Sequence, residues 1–386
     1  MPKPFSAIPF TGIPFPKTEY DRRQKKVLAA VASANLDALV VTAHGHLRYL
    51  TGYDGMGGYF APFPLILVPG RAPTYVVREY EVDTVRATSC IDEIISYTQQ
   101  QDFSKVCADV LRRYGLHGRR VGLELGCWNL AAADVSALQA QLPDLKIADA
   151  TRLVASVAAV KSELELEAMR NAMAMTDLAV RTFQQSLREG VTETKVAETI
   201  EEEVKKAGGQ LAQFYSLGFG ERTRLAHGVP AHHPIRNNEP AMVEIGGAKH
   251  GYAAGVVRSA VLGRHPETEV LHDLAVEALE AAIGAIKPGE TASAVDAAAR
   301  KVIARSGRSQ VFRHRTGYQT GIHWSERGNL SLEPGAADIL EAGMTLHMPL
   351  ILFSENGYLF GTSEQVLVTE RGAEILSTTP HTLYQA

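Results

Sequence analysis

The chain has 386 residues, of which 45% are hydrophobic, and its 39 basic and 43 acidic residues leave a net charge of -4. This length favours two domains, and the hydrophobic content is typical of an ordinary globular protein. Because the two signs of charge nearly balance, the composition argues against nucleic acid as a partner and favours a small, roughly neutral one.

The sequence shows no pattern typical of export or of a membrane span. The N-terminal stretch MPKPFSAIPFTGIPFPK lacks the basic start and the continuous apolar segment of a signal peptide. No stretch approaches the length of a membrane span. Cys90, Cys107 and Cys127 are far apart and show no CxxC spacing, so we expect neither a disulfide framework nor a zinc site. We therefore expect a cytoplasmic protein.

Helical and strand patterns alternate from Tyr20 to about Thr151, which predicts an α/β layered domain over residues 1–155. The helical runs are YDRRQKKVLAAVASANL and DFSKVCADVLRRYGL, and the strand runs are DALVVTA, FPLILVPG and RVGLEL. Among them is the glycine-rich loop LTGYDGMGGYF, from Leu50 to Phe60. Its tyrosines, Tyr53 among them, and its acidic residue suit contact with a ligand.

A second domain is expected over residues 156–386. It opens with a long helix from near Lys161, whose apolar residues recur at helical spacing and predict one buried face. These residues are Met169, Ala172, Met173, Thr176, Val180 and Phe183. The methionines suit core packing better than cofactor binding.

The second domain contains an internal repeat. GVTETKVAETIEEEVKKAG begins at Gly190 and GETASAVDAAARKVIARSG begins at Gly289, and both run from glycine to glycine over the same interval. In this alignment Val196 matches Val295, and Val204 matches Ile303. Two copies of a helix-plus-sheet unit predict a pseudo-twofold domain with its ligand site in the cleft between the halves.

Several motifs together resemble the pita-bread family, which contains methionine aminopeptidase, prolidase and creatinase. They are VKSELELEAMRNA, the two G-x-T helices, the G-x-x-x-GY run from Gly247 to Tyr252, Arg258, and the closing EAGMTLHMP and VLVTERG. The preceding domain resembles the creatinase/prolidase N-terminal domain. The resemblance implies an α+β fold with a pita-bread catalytic domain at the C-terminus.

The resemblance also implies that the family's metal site is lost. The family's five metal ligands fall, in chain order, on Glu244, Gly255, Tyr318, Met348 and Ser363. Hard cations need several converging oxygen donors, which this set does not supply. Glu364 is adjacent to the last position, but in a regular strand its side chain should point to the opposite face. We therefore expect no metal and no other cofactor.

His227 is the candidate acid–base residue, because the resemblance places the catalytic histidine of creatinase there. An imidazole that titrates near neutral pH can take a proton from water and return it to a leaving nitrogen. His232 and His233 are better candidates for solvated or structural histidines. Glu244 has three possible roles: to hold a cationic substrate, to stabilise the imidazolium, or to attack as a nucleophile.

Within the family, the pattern is most similar to the metal-free ectoine hydrolase and creatinase branch, whose substrates are small zwitterions. A substrate carboxylate needs a guanidinium partner, for which Arg258, Arg313, Arg315 and Arg327 are candidates. The other expected substrate contacts are Tyr53, Tyr318, His323, Trp324, His347 and Glu364. The segment TGIHWSERGN departs from the ectoine hydrolase pattern, so the resemblance indicates the reaction class more closely than the substrate.

These observations predict a metal-independent hydrolase that cleaves a C–N bond in a small carboxylated amidine, guanidine or cyclic amide. The alternatives are an Xaa-Pro metallopeptidase of the prolidase type and a non-catalytic binding member of the family. The family's two-domain members also imply a homodimer, in which the Tyr53–Phe60 loop of one subunit closes the cleft of the other. Neither nucleic acid nor a membrane is expected as a partner.

Overall fold

The computed structural model describes residues 12–55, 57–98, 100–212, 215–322 and 330–386. The chain divides into two compact units, one up to Ala158 and one from Ala159 onward. The boundary expected after residue 155 falls inside the helix Leu153–Ala159, which leads from one unit into the next. No helix in the described ranges is both long enough and apolar enough to cross a membrane.

The N-terminal unit is a mixed sheet with helices, as the alternating sequence pattern predicts. Its described strands are β1 (Ala38–Val41), β2 (Leu65–Leu67), β3 (Thr74–Arg78), β4 (Glu93–Tyr97), β5 (Arg120–Leu123) and β6 (Lys146–Asp149), in the spatial order β4-β3-β2-β1-β5-β6. Its described helices are α1 (Lys17–Ser33), α2 (His44–Thr51), α3 (Gly57–Phe60), α4 (Val82–Thr88), α5 (Phe103–Arg113), α6 (Ala132–Gln141) and α7 (Leu153–Ala159). Apolar residues of the central strands are buried against α5 and α6.

The C-terminal unit contains two sheets with helices packed on them. The first sheet has the order β16-β10-β9-β7, with β8 also paired to β9, and the second has the order β12-β11-β13-β14-β15. The described strands are β7 (Gln210–Leu211), β8 (Ser216–Phe219), β9 (Glu239–Lys249), β10 (Tyr252–Leu262), β11 (Gly317–Gln319), β12 (Ser331–Leu332), β13 (Thr345–Phe353), β14 (Leu359–Thr369), β15 (Gly372–Ile375) and β16 (Tyr384–Gln385). The described helices are α8 (Glu163–Ser186), α9 (Glu193–Lys206), α10 (Pro266–Ala285) and α11 (Ala292–Arg305).

Helix α8 confirms the long helix expected near Lys161, and all six of its predicted core residues are buried. It begins at a capping box formed by Ser162 and Glu165. Its Thr176 accepts a hydrogen bond from the N–H of Gly247 at 2.7 Å and donates one to the carbonyl of Ala254 at 2.6 Å. A Cβ at Gly247 would lie 2.2 Å from the carbonyl oxygen of Ala172, so glycine is needed where the sheet meets this helix.

The internal repeat corresponds to two matching helices, α9 and α11. Each is capped by a threonine, because Thr192 accepts from the N–H of Lys195 and Thr291 accepts from the N–H of Ala294. The matched apolar pairs are all buried. The glycines that flank both helices have positive φ, so the two segments share their turns as well as their helices.

Candidate active site

One pocket of the C-terminal unit gathers side chains from both sheets, and its volume of about 160 Å³ suits a small molecule. Its polar lining residues are Ser216, His227, Glu244, His314 and Tyr318. Its apolar lining residues are Ala226, Met242, Val257, Pro349, Ile351, Phe353 and Leu359. Apolar walls around a few polar groups are typical of a ligand site.

His227 reaches this pocket from the loop between β8 and β9. Its φ is 56°, in the left-handed region that residues other than glycine seldom adopt, so its neighbours must hold it there. The carbonyl of Gly228 accepts hydrogen bonds from the N–H of Leu217 at 3.3 Å and from the hydroxyl of Ser216 at 2.9 Å. The residue that follows His227 is therefore fastened to β8.

The buried carboxylate of Glu193, at the start of α9, clamps the same loop. It accepts hydrogen bonds from the N–H groups of Phe219 and Ala231, at 2.9 and 2.8 Å, and from Nε of Arg222 at 2.9 Å. Since these donors lie before and after His227 in the chain, the loop is held at both ends. One copy of the internal repeat thus positions the candidate acid–base residue.

Glu244 lies half-buried in β9, between two neighbouring strands. It is paired with Ser216 of β8 on one side and with Val257 of β10 on the other. Because the hydroxyl of Ser216 anchors Gly228, this register brings the His227 loop to the strand that carries Glu244. The structure therefore places the two predicted catalytic residues in one pocket.

Tyr318, His347 and Ser363 form a hydrogen-bonded chain across three strands. The hydroxyl of Tyr318 lies 2.9 Å from Nδ1 of His347, and Nε2 of His347 lies 2.8 Å from Oγ of Ser363. Ser363 Oγ also accepts a hydrogen bond from the N–H of Val257 at 2.5 Å. All three side chains are buried, and of the three only Tyr318 is among the described lining residues of the pocket.

Arg258 and Glu364 were expected to contact substrate, but the structure pairs them with each other. Their Nη2 and Oε1 atoms are 2.8 Å apart, and both side chains are at most 1% exposed. Arg258 also donates to the carbonyls of Ser363 and Thr379, at 2.5 and 2.8 Å. Neither residue is among the described lining residues of the pocket, so the structure shows the pair engaged with each other behind it, and their contact with substrate stays a prediction.

The other expected substrate contacts lie in different parts of the structure. Tyr53 lies in the N-terminal unit, where it is buried and its hydroxyl donates to Glu81 at 3.3 Å. Burial raises the pKa of this phenol well above its ordinary value. His347 is hydrogen-bonded to the lining residue Tyr318 and is not itself among the described lining residues of the pocket. His323 and Trp324 lie outside the described residues.

His314 is a lining residue that the sequence analysis did not single out. Its Nδ1 lies 2.6 Å from the carbonyl oxygen of Arg315, so the ring is oriented by the local backbone. The sequence carries one signal for this residue: His314 lies four residues before Tyr318, whose motif the resemblance assigns to the cleft. Two of the candidate arginines stack on lining rings: Arg313 lies 4.4 Å from the ring centre of Phe353, and Arg315 lies 4.5 Å from that of Tyr318.

A two-sheet domain of this kind, preceded by an α/β domain and carrying a pocket with His227 and Glu244, defines a two-domain hydrolase of the pita-bread fold. The chain belongs to metallopeptidase family M24, whose model matches residues 167–370. Residues 23–160 match the creatinase/prolidase N-terminal domain. The fold class expected from the sequence is thereby confirmed.

The proteins that match nearly the whole of this chain are named as hydrolases of more than one kind. The chain is 31% identical to the uncharacterized hydrolase/peptidase y4tL of Sinorhizobium fredii, over 96% of this chain and 97% of the relative. It is 29% identical to the ectoine hydrolase of Halomonas elongata, over 97% and 98% of the two chains. Among solved structures, dipeptidase PepE from Mycobacterium ulcerans is 26% identical with a TM-score of 0.85, over 97% of this chain and 99% of that one.

The divalent metals implied by the family name do not fit the residues present. The five residues to which the resemblance assigns the metal ligands, Glu244, Gly255, Tyr318, Met348 and Ser363, lie on β9, β10, β11, β13 and β14. Of these, only Glu244 offers a carboxylate, and Ser363 is engaged with Val257 and His347. In the described part of the chain, no group of three or more His, Cys, Asp or Glu side chains could hold a metal ion.

Proposed function

We propose that this chain is a metal-independent hydrolase that cleaves a C–N bond in a small carboxylated substrate. The bond belongs to an amidine, a guanidino group or a cyclic amide, as in the ectoine hydrolase and creatinase types. The observation that carries the proposal is a small pocket that contains both His227 and Glu244. The other four positions that the resemblance assigns to metal ligands hold Gly255, Tyr318, Met348 and Ser363, which offer neither carboxylate nor imidazole. The relationship to an ectoine hydrolase supports it.

In this reaction His227 moves the protons. Its imidazole takes a proton from water as the water oxygen attacks the substrate carbon, and then gives the proton to the leaving nitrogen. The loop clamped by Glu193 and Gly228 supports this role, because a base must be held within hydrogen-bond reach of the water. His227 therefore serves as base in one half of the reaction and as acid in the other.

Glu244 supplies the negative charge that an amidinium or guanidinium group needs. Two N–H groups of such a cation can bind the two oxygens of one carboxylate, and the apolar walls around Glu244 strengthen that attraction. A nucleophilic role is the competing chemistry, since attack by the carboxylate would give an acyl-enzyme type intermediate. A single turnover in H₂¹⁸O separates the two roles: ¹⁸O enters the Glu244 peptide only if the carboxylate attacks.

Arg313 and Arg315 are the proposed partners of the substrate carboxylate. Both guanidinium groups stack on rings that line the pocket, whereas Arg258 is occupied by Glu364. Arg327 lies outside the described residues. This arrangement would hold a zwitterion with its cationic end at Glu244 and its carboxylate near the stacked arginines.

The test uses the purified chain with ectoine and creatine as probes, before and after treatment with EDTA. We expect hydrolysis of a probe of this class, unchanged by chelation, and no stoichiometric manganese, cobalt or zinc by mass spectrometry. His227→Ala should lower kcat by about a hundredfold to ten-thousandfold. His232→Ala is the matched control, because His232 is an exposed histidine of the same loop and is not among the described lining residues.

Two outcomes would overturn the proposal. The first is activity that chelation removes and Mn²⁺ or Co²⁺ restores. The second is a His227→Ala protein that keeps its activity within about tenfold of the parent, since the base would then lie elsewhere.

A dipeptidase is the second candidate, and the likeness to dipeptidase PepE is the observation that favours it. An Xaa-Pro dipeptide, assayed beside ectoine and creatine with and without Mn²⁺, tests it directly. Turnover of the dipeptide alone would establish this alternative. A chain that binds ectoine or creatine but hydrolyses none of the three would be the non-catalytic member of the family.

The proposal extends to assembly and location: a cytoplasmic homodimer in which the Tyr53–Phe60 segment of one subunit, which includes helix α3, closes the pocket of the other. The composition of this segment supports a lid. Light scattering combined with activity measurements tests the dimer. A fully active monomer would contradict it.

A further inference from the structure

The second copy of the internal repeat holds a segment of the pocket, as the first copy does. Glu193 of α9 clamps the loop that carries His227. Helix α11 has a comparable pair, Asp296 and Arg300, one helical turn apart. The carboxylate of Asp296 is 1% exposed, and its Oδ2 lies 2.7 Å from Nε of Arg300. A buried carboxylate needs a positive partner and hydrogen bonds, so the groups that supply them are held in place around it.

Both members of this pair reach from α11 to the segment that precedes β11. The hydroxyl of Thr316 donates to Oδ1 of Asp296 at 2.7 Å. Nη2 of Arg300 donates to the carbonyl of His314 at 2.8 Å. The guanidinium of Arg300 also lies 4.7 Å from the ring centre of Phe312. Three alternate residues of the segment are therefore fastened to one helix.

The fastened segment forms part of one wall of the pocket. His314 is a lining residue, and the segment leads directly to Tyr318, which is another. The two arginines between the fastened residues stack on rings that line the pocket: Arg313 on Phe353, and Arg315 on Tyr318. The contacts with α11 therefore fix the part of the wall that carries the proposed partners of the substrate carboxylate.

The two clamps are not copies of each other. In the repeat alignment Glu193 matches Ala292, and Asp296 matches Ala197. The guanidinium partner of Glu193 belongs to the clamped loop, whereas that of Asp296 belongs to the same helix. Each half of the domain thus holds its own pocket segment through its own set of contacts.

We propose that each half of the domain positions a different part of the pocket: the Glu193 clamp positions the acid–base residue, and the Asp296–Arg300 clamp positions the wall that binds the substrate. Asp296 and Arg300 are accordingly positioning residues, which act through the segment that they hold. The inference rests on the hydrolytic function proposed above. It adds the residues that determine KM separately from those that determine kcat.

The two clamps should have different kinetic effects. A displaced His227 no longer meets the water that it must deprotonate, so loosening its loop should lower kcat. A displaced wall weakens contacts that the substrate makes before the reaction as well as during it, so loosening the wall should raise KM.

The first experiment measures kcat and KM with whichever of ectoine and creatine the parent hydrolyses. Arg300→Lys keeps a positive charge beside Asp296, but one ammonium group cannot also reach the carbonyl of His314 and the ring of Phe312. We expect this variant to raise KM by about tenfold while kcat stays within about threefold of the parent. Glu193→Gln, which keeps the shape of the side chain and removes its charge, should lower kcat by about tenfold to a hundredfold with a smaller change in KM.

Thr316 allows a finer test of the same clamp. Thr316→Val removes the hydroxyl that donates to Asp296 but keeps the backbone hydrogen bond to β12 at 2.9 Å. It should raise KM as Arg300→Lys does, and Thr316→Ser, which keeps a hydroxyl, should return KM to within about threefold of the parent. Arg305→Lys is the matched control, because Arg305 is also on α11 but pairs with the exposed Glu277 at 3.4 Å, and both constants should stay at the parent values.

The second experiment reads the two pocket segments without using activity. In ¹⁵N-histidine-labelled protein, with His227→Gln and His314→Gln to assign the signals, the backbone order parameters of the two histidines report how firmly each segment is held. Arg300→Lys should lower the order parameter of His314 and leave that of His227 unchanged. Glu193→Gln should do the reverse.

The outcomes separate this inference from the proposed function. If the parent hydrolyses a probe and Arg300→Lys changes kcat and KM in the same pattern as Glu193→Gln, the inference is wrong while the function stands. A clamp that served stability alone would lower the urea midpoint without changing either constant, which would also overturn the inference. If the parent hydrolyses neither probe, the function fails, and order parameters that fall together in each variant would still refute the separate clamps.

Discussion

Replacing Arg258 by methionine should destabilise the C-terminal unit far more than it impairs substrate binding. The guanidinium is fully buried and its main partner is Glu364, which is 1% exposed. Removing one member of a buried ion pair costs about 3–5 kcal/mol when the other charge is left uncompensated, and this is an upper bound here because Glu364 keeps its hydrogen bonds from His381 and Ser377. The carbonyls of Ser363 and Thr379 would also lose a donor.

That cost is large beside the whole stability of a typical domain, about 5–15 kcal/mol. Urea unfolding, followed by far-ultraviolet circular dichroism, should therefore show a markedly lower midpoint for Arg258→Met. Replacing both residues with apolar ones, as in Arg258→Met with Glu364→Leu, removes the stranded charge and should recover most of the loss. The double substitution thus separates a structural pair from two independent ligands.

The competing idea, that Arg258 binds the substrate carboxylate, predicts a different result. Loss of a hydrogen bond to a charged group costs about 1.5–3 kcal/mol, which corresponds to a rise in KM of roughly tenfold to a hundredfold. If Arg258→Met unfolded at the parent's urea concentration and showed such a rise, the structural assignment would be refuted.

Two further changes test the packing of the same unit. Burial lowers the pKa of His272 to about 4, and neither of its ring nitrogens has a hydrogen-bond partner in the described part of the chain. The unfolded state therefore binds more protons than the folded state between pH 6.5 and 4, so the free energy of unfolding should fall by up to about 3 kcal/mol over that window. In the His272→Leu protein this fall should be correspondingly smaller. Urea titrations at pH 7, 5.5 and 4.5 would measure the difference. His381, whose pKa is raised by its hydrogen bond to Glu364, is present in both proteins, and equal acid sensitivity would contradict the argument. Gly247→Ala should lower the free energy of unfolding by about 1–3 kcal/mol, because the added Cβ would meet the backbone of α8. Gly284→Ala in α10 is the control: its Cβ meets nothing within 4 Å, so the free energy of unfolding should stay the same or rise by up to about 1 kcal/mol. Equal shifts in melting temperature for the two variants would refute the close approach at Gly247.

Local features of the fold were predictable because they depend on residues near one another in sequence. The buried face of α8 follows from helical spacing, and the match between α9 and α11 follows from two threonine caps and their flanking glycines. His227 and Glu244 were identified through the family motif, which encodes a three-dimensional arrangement in the order of the chain. Short or polar strands such as β4 and β6 carry little apolar alternation, and the sequence analysis did not identify them.

Partners that lie far apart in sequence were harder to predict. Nothing near Arg258 indicates that its carboxylate is Glu364, a hundred residues later on β14, so the arginine read as a free substrate ligand. His314 was missed for a related reason: a single histidine in a polar, exposed segment has no periodic signal, and its place at the pocket depends on how β11 pairs with β13. Likewise, the bonds from His347 to Tyr318 and Ser363 depend on the pairing of three strands.

The register of β13 and β14 explains why a carboxylate beside the last ligand position does not restore a metal site. Each residue from Leu359 to Leu367 faces one residue of β13, with Ser363 opposite Pro349 and Glu364 opposite Met348. A ladder paired one to one leaves no bulge, so neighbouring side chains must point to opposite faces. Ser363 therefore joins the chain that leads to Tyr318, and Glu364 turns to Arg258 on the other face. Glu364 shares its face with Met348, but its carboxylate is engaged by Arg258, and turning it to the face of Ser363 would require a shift of one residue along β14, which would leave the buried Arg258 without this partner.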